Sequence, residues 1–168
     1  YAGSVMMTTE PIKVGMADLR ATPAPLTLIT TGLGSCVGIC LWDPISKVGG
    51  LAHIMLPDST QSRSIQNKAK YADTGIVLLI EEMVKLGALK GRLVAKIAGG
   101  AQMFNFPGAS NVMRIGERNT EAVKKCLEQE KIKILAEDTG GNFGRTIEFF
   151  TTSGQLLIKT ISKGEKVV

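Results

Sequence analysis

Among 168 residues there are only one histidine, one tryptophan and three cysteines. Three cysteines are too few, and too odd in number, for a disulfide framework, so free thiols in a reducing compartment are expected. A lone His without CxxC or HxxxH pairing excludes a structural zinc site. Aromatic residues make up only 5% of the chain, which leaves no stacking platform for nucleic acid. No apolar run approaches the ~20 residues a bilayer demands, so no membrane insertion is expected. The apolar stretch 75–86 is broken by Glu81 and Glu82 and reads as an amphipathic helix. The sequence opens without a basic region followed by an apolar run, so no secretory signal is read and a cytoplasmic location is the expectation. Residues 1–5, with Gly3-Ser4 ahead of Met6 and Met7, read as a cloning remnant.

What is present suits one folded domain, taken as residues 6–168. Hydrophobic residues are 44% and charged residues 21% of the total, with a net charge of +5. Lys and Arg are scattered, with no dense basic run, so this charge serves solubility or steers an acidic partner. Residues 12–17 alternate as a first strand, and the Pro23 and Pro25 pair interrupts it. Residues 26–30 form a strong β run, followed by a Gly-rich turn over 31–35. Strands then cover 36–42 and 48–56, and a polar loop covers 60–70. Apolar spacings of three and four predict a helix from Ala72 to Leu86, stopped by Gly87. Residues 93–98 read as a strand. Asn119 is the expected N-cap of a second helix that carries Ala122, Val123, Cys126 and Leu127. A short strand over 132–136 and a hairpin over 145–161 complete the chain. The fold class is therefore α+β: a layered arrangement of mixed sheet with two main helices.

The segment Gly32-Leu33-Gly34-Ser35-Cys36-Val37-Gly38 is the most informative. The glycines at 32, 34 and 38 break the GxGxxG spacing, and a strand follows where a dinucleotide loop needs a helix. A nucleotide site is excluded. A nucleophile turn is the alternative: glycines let the backbone bend and expose N–H groups beside a thiol. Donors from Gly34 and Ser35 would then stabilise an oxyanion. His53, on the next strand, is the sole imidazole able to activate Cys36. Packing roles compete with this reading. Cys40 and Cys126 read as core residues, and a Cys or a His on an apolar strand is often structural. Composition and spacing leave the function undecided between these.

Beyond these patterns the chain resembles the CheD family of chemoreceptor glutamine deamidases. The motifs that carry the resemblance are Gly32-Leu33-Gly34-Ser35-Cys36, Ala52-His53-Ile54-Met55-Leu56-Pro57-Asp58-Ser59 and Lys70-Tyr71-Ala72-Asp73-Thr74. They continue with Lys96-Ile97-Ala98-Gly99-Gly100-Ala101, Ile115-Gly116-Glu117-Arg118-Asn119 and Glu137-Asp138-Thr139-Gly140-Gly141-Asn142. The resemblance implies Cys36 as nucleophile, His53 as base and Thr30 as the third catalytic residue. Neighbouring Thr31 would take that place if the strand register were off by one. It also implies a fold akin to bacterial toxin deamidase domains, and conversion of receptor glutamines to glutamate through a cysteine thioester. Hydrolysis of glutamyl methyl esters is a second implied activity. The implied partners are the helical cytoplasmic region of a chemoreceptor and the CheC phosphatase, with no metal or organic cofactor. Met103, Phe104 and Phe106 either pack in the core or offer an apolar contact for a partner helix. The competing functions are a different Cys-His acyl-transfer enzyme and a non-catalytic adaptor that binds receptor and CheC.

Overall fold

The computed structural model describes residues 10–60, 67–103 and 114–168. Among the described residues, ten strands form two mixed sheets, and two α-helices cover one face of the second. The first sheet contains β1 (Ile12–Lys13), β3 (Thr27–Leu33), β8 (Arg145–Phe150), β9 (Leu156–Thr160) and β10 (Gly164–Val167), in the order β1-β3-β8-β9-β10. The second contains β2 (Leu19–Pro23), β4 (Val37–Asp43), β5 (Val48–Ile54), β6 (Val94–Gly99) and β7 (Lys133–Thr139), in the order β2-β5-β4-β6-β7. One pair in each sheet is parallel, β1 with β3 and β6 with β7.

Alternation along β4 and β5 sorts the second sheet into two faces. Val37, Ile39, Leu41, Ala52 and Ile54 pack under helices α1 (Ala72–Lys85) and α2 (Ile115–Gln129). Cys36, Cys40 and Leu51 face the other way and meet Leu28, Leu33, Ile147 and Phe149 of the first sheet. The layers therefore run helices, second sheet, first sheet. The α+β class and the two helices are as the sequence implies.

Several boundaries differ from expectation. The segment around Pro23 is not a simple interruption: β2 ends on Pro23, which pairs with Val48. A proline fits there because β2 is an edge strand, where a missing N–H costs no ladder bond. The first strand shrinks to Ile12–Lys13. The expected turn over 31–35 is in fact a continuation of β3 through a bulge, since Thr30 pairs with Ile147 and Leu33 with Arg145. Three steps on β3 thus oppose two on β8, and Gly32 at φ 72° takes up the extra residue. The bend itself falls on Gly34, Ser35 and Cys36.

Asn119 is not an N-cap. Helix α2 begins four residues earlier, at Ile115. The stripe Gly116, Asn119, Val123, Leu127 is its buried face, and that three-four spacing outweighs the capping preference of one residue.

Candidate active site

Thr30 and His53 meet between the two sheets, and Cys36 is buried in the same inter-sheet layer. Thr30 and Thr31 alternate on β3, and it is Thr30 that points inward and is buried, while Thr31 is exposed. His53 sits on β5 opposite Gly38 of β4. The same register carried one step past the start of β4 places Cys36 diagonally from His53 on one face, a relationship that spans roughly 7–8 Å between Cα atoms. Both side chains are buried, His53 completely. Gly38 matters to this arrangement. A Cβ there would press on Ile147 at 2.7 Å and Leu33 at 3.1 Å, so its absence lets the first sheet approach closely enough for Thr30 to reach the imidazole.

The hydrogen bonds fix the tautomer of His53. Thr30 Oγ1 donates to Val14 O at 2.7 Å and lies 2.7 Å from His53 Nδ1. A hydroxyl has one proton, and two oxygens 2.7 Å apart need it between them. Nδ1 must therefore carry a proton and donate to Thr30, which leaves Nε2 as a bare lone pair. Nε2 is buried and has no hydrogen-bond partner among the described residues. That is the state a general base requires.

Burial pushes the Cys36 thiol up, against a smaller pull downward from its own backbone N–H. Burial pushes the His53 imidazole down. Both shifts favour the uncharged forms, a neutral thiol and a neutral imidazole. Proton transfer would then accompany nucleophilic attack, with no need for a standing ion pair. Cys40 is fully buried and its thiol is pushed far up by desolvation, which suits packing. Cys126 is half-buried on α2.

The bend that carries Cys36 is held by its carbonyls. Gly34 O accepts from Ala101 N at 2.8 Å, Ser35 O from Asn119 Nδ2 at 2.9 Å and Cys36 O from Gly100 N at 2.8 Å. A trans peptide points C=O and N–H in opposite directions, so the Ser35 and Cys36 N–H groups are aimed away from these supports. The Gly34 N–H is already committed to Gly32 O at 3.0 Å. Of the N–H groups expected to face an oxyanion, that of Gly34 is therefore spent on Gly32 O, and those of Ser35 and Cys36 point away from the supports. Gly99, at φ 113°, closes against the Cys36 carbonyl so tightly that a Cβ would collide with it.

Met103 is 44% exposed, and its Cγ lies 3.2 Å from the position of a Cβ on Gly34, at the rim of the bend. Phe104 and Phe106 lie outside the described residues. The hydrogen bonds by which Asn119 and the Gly100 and Ala101 main chain hold the Cys36 bend are features that sequence reasoning did not assign. For Asn119 the available signal was its place on an apolar stripe. No cluster of three or more His, Cys, Asp or Glu that could hold a metal ion occurs among the described residues, and no helix there is long and apolar enough to cross a membrane.

Comparison with known proteins adds a second line. A family model described as CheD, chemotactic sensory transduction, matches residues 55–160. The chain is 58% identical to the probable chemoreceptor glutamine deamidase CheD of Syntrophomonas wolfei, over 94% of its own length and 98% of the relative's. It is 56% identical to the protein of the same description from Caldanaerobacter subterraneus, over 96% and 100%. Among solved structures it is similar to the Bacillus licheniformis hypothetical protein YfiH, with a TM-score of 0.45 and 15% identity, covering 78% of this chain and 59% of the other.

Proposed function

This chain belongs to the CheD family, and from that premise we propose that it hydrolyses side-chain amides of chemoreceptor glutamines to glutamate and ammonia, with Cys36 as nucleophile. The observation that carries the chemistry is the bare Nε2 of His53, held in that tautomer by Thr30. The substrate class is carried over from the description of the relatives, probable chemoreceptor glutamine deamidases.

In the proposed sequence the Cys36 thiol gives its proton to His53 Nε2 as sulfur attacks the amide carbon of a receptor Gln. The carbonyl oxygen becomes an oxyanion facing the Ser35 and Cys36 N–H groups. Collapse of the tetrahedral intermediate breaks the C–N bond, and His53 returns the proton so that ammonia leaves. A water that loses its proton to His53 then attacks the thioester. Glutamate departs and the thiol is restored. Thr30 is neutral, so it orients the imidazole without stabilising imidazolium as a carboxylate would. A glutamyl methyl ester would follow the same path with methanol as leaving group.

The receptor side chain would be taken from the cytoplasmic helical region, and the CheC phosphatase belongs to the same proposal as a regulatory partner. The exposed Met103 beside Gly34 is the contact we assign to a partner helix. Mass spectrometry of a receptor cytoplasmic fragment after incubation tests the activity. Specific glutamines should gain the mass of an amide turned acid, with ammonia released and the chain uncut. Peptide cleavage or transfer to an amine in place of water would instead indicate another acyl-transfer enzyme.

A further inference from the structure

Helix interiors disfavour asparagine, whose short amide competes for backbone groups. Asn119 nevertheless lies inside α2 and is fully buried. Its amide serves other parts of the chain. Nδ2 donates to Ser35 O at 2.9 Å and to Met55 O at 2.9 Å. The first acceptor precedes Cys36 by one residue, and the second follows His53 by two. A single NH2 group therefore ties the bend of the nucleophile to the strand of the base with both of its protons.

Oδ1 is buried without a hydrogen-bond partner among the described residues. An apolar side chain of equal size would avoid the unpaired Oδ1 but would strip the Ser35 and Met55 carbonyls of this donor, so the amide is accounted for by its two N–H bonds and not by packing alone. Nor can the amide be turned round, because Oδ1 would then face two carbonyl oxygens.

We propose that Asn119 is a positioning residue for the deamidation, setting the direction of the Cys36 N–H and the offset between the Cys36 thiol and His53. This rests on the reading of Cys36 and His53 as nucleophile and base. The Ser35 carbonyl belongs to the same peptide unit as the Cys36 N–H, so holding one aims the other. The Met55 carbonyl anchors the same amide to the end of the His53 segment. Movement of α2 would thus shift both reacting groups together.

The test uses the full chain, with Asn119→Ala and the near-isosteric Asn119→Asp, which can donate at most one proton. Site-resolved alkylation of Cys36 by iodoacetamide across pH needs no receptor. In both variants alkylation at neutral pH should fall about tenfold or more, with the midpoint moving up toward that of His53→Ala. On a receptor fragment, kcat should fall alongside while KM changes little. A merely structural role gives the opposite pattern: faster alkylation at every pH as the bend opens, with an unmoved midpoint. That pattern, or the wild-type profile in both variants, overturns the proposal. In the wild-type chain both Asn119 amide protons should exchange far more slowly than those of a solvated amide, and fast exchange overturns it whatever the variants do. If wild-type alkylation does not depend on His53, the nucleophile assignment fails as well. If it does, and the Asn119 variants match wild type, only the positioning role fails.

Discussion

The Thr30 hydroxyl and the His53 ring meet across two different sheets, Oγ1 to Nδ1 at 2.7 Å, with the hydroxyl proton already given to Val14 O. The contact joins β3 to β5 in the layer between the sheets, where neither partner reaches solvent. Its effect is directional. A threonine that donates elsewhere can only accept from the imidazole, so the ring is held with its other nitrogen free. A neutral hydroxyl achieves this without a buried carboxylate, whose desolvation would be far more expensive.

Thr30→Val keeps the shape and removes the hydroxyl, leaving Nδ1–H and Val14 O both buried and unpaired. The expected cost is about 1–3 kcal/mol of stability and a loss of deamidation rate of roughly 10–100-fold, smaller than for removal of the nucleophile. Thr31→Ala, on the exposed side of β3, should stay within about 0.5 kcal/mol in urea melts and leave the rate unchanged. A larger rate loss for Thr31→Ala would refute the assignment of the orienting role to Thr30.

Replacing Cys36 by Ala removes sulfur from a site where the side chain makes no hydrogen bond that the fold requires. Ammonia release should fall at least about 10³-fold, with the melting transition near that of wild type. Cys40→Ala should retain the wild-type rate, since that thiol is sealed in the core. Comparable activity in Cys36→Ala and wild type would exclude the covalent route.

Legibility in the sequence followed how local the determining interaction is. The helix over 72–85 and the hairpin of β8 and β9 were readable because period alone fixes them. Strand alternation showed only that Thr30 and Thr31 lie on opposite faces, and the family motif supplied the choice of Thr30. Strand β10 was not, because all four of its residues are exposed and no alternation marks it. Strand β2 was hidden by Pro23, whose tolerance at a sheet edge depends on a neighbour far along the chain. Two of the three supports of the Cys36 bend are main-chain groups of residues 100 and 101, and residue type says nothing about where an N–H points. Asn119 was misread because a local capping rule favoured it, while its two acceptors are 84 and 64 residues away in sequence.

The pH dependence follows from the two burial shifts. The acid limb of kcat/KM should reflect protonation of His53 and lie below the ordinary imidazole value of about 6.5. The alkaline limb should reflect the raised Cys36 thiol and lie above about 8.5. Stability carries the same signature. With its folded pKa lowered, His53 takes up a proton less readily in the folded chain than in the unfolded one. Its contribution is therefore complete above about pH 6.5 and is lost as pH falls through the lowered folded value. Urea melts should show this acid loss in wild type and a weaker one in His53→Gln. Equal slopes would mean that His53 does not titrate as a buried neutral group.

Gly99 and Gly87 separate collision from backbone strain. Both have positive φ, 113° and 106°, but a Cβ on Gly87 meets nothing within 4 Å while one on Gly99 runs into the Cys36 carbonyl. Gly87→Ala should therefore cost only the strain of an L-residue at that angle, about 1–3 kcal/mol, and leave activity intact. Gly99→Ala bears the same strain and must also displace the backbone that carries the nucleophile, because a carbonyl oxygen, unlike a side-chain end, cannot swing aside. It should be the less stable of the two in urea melts, and where it stays folded its deamidation rate and Cys36 alkylation profile should both change. Equal stability and equal activity in the two variants would show that Gly99 is retained for its dihedral angle alone, and that the close approach of β6 to the Cys36 bend plays no part in holding the thiol.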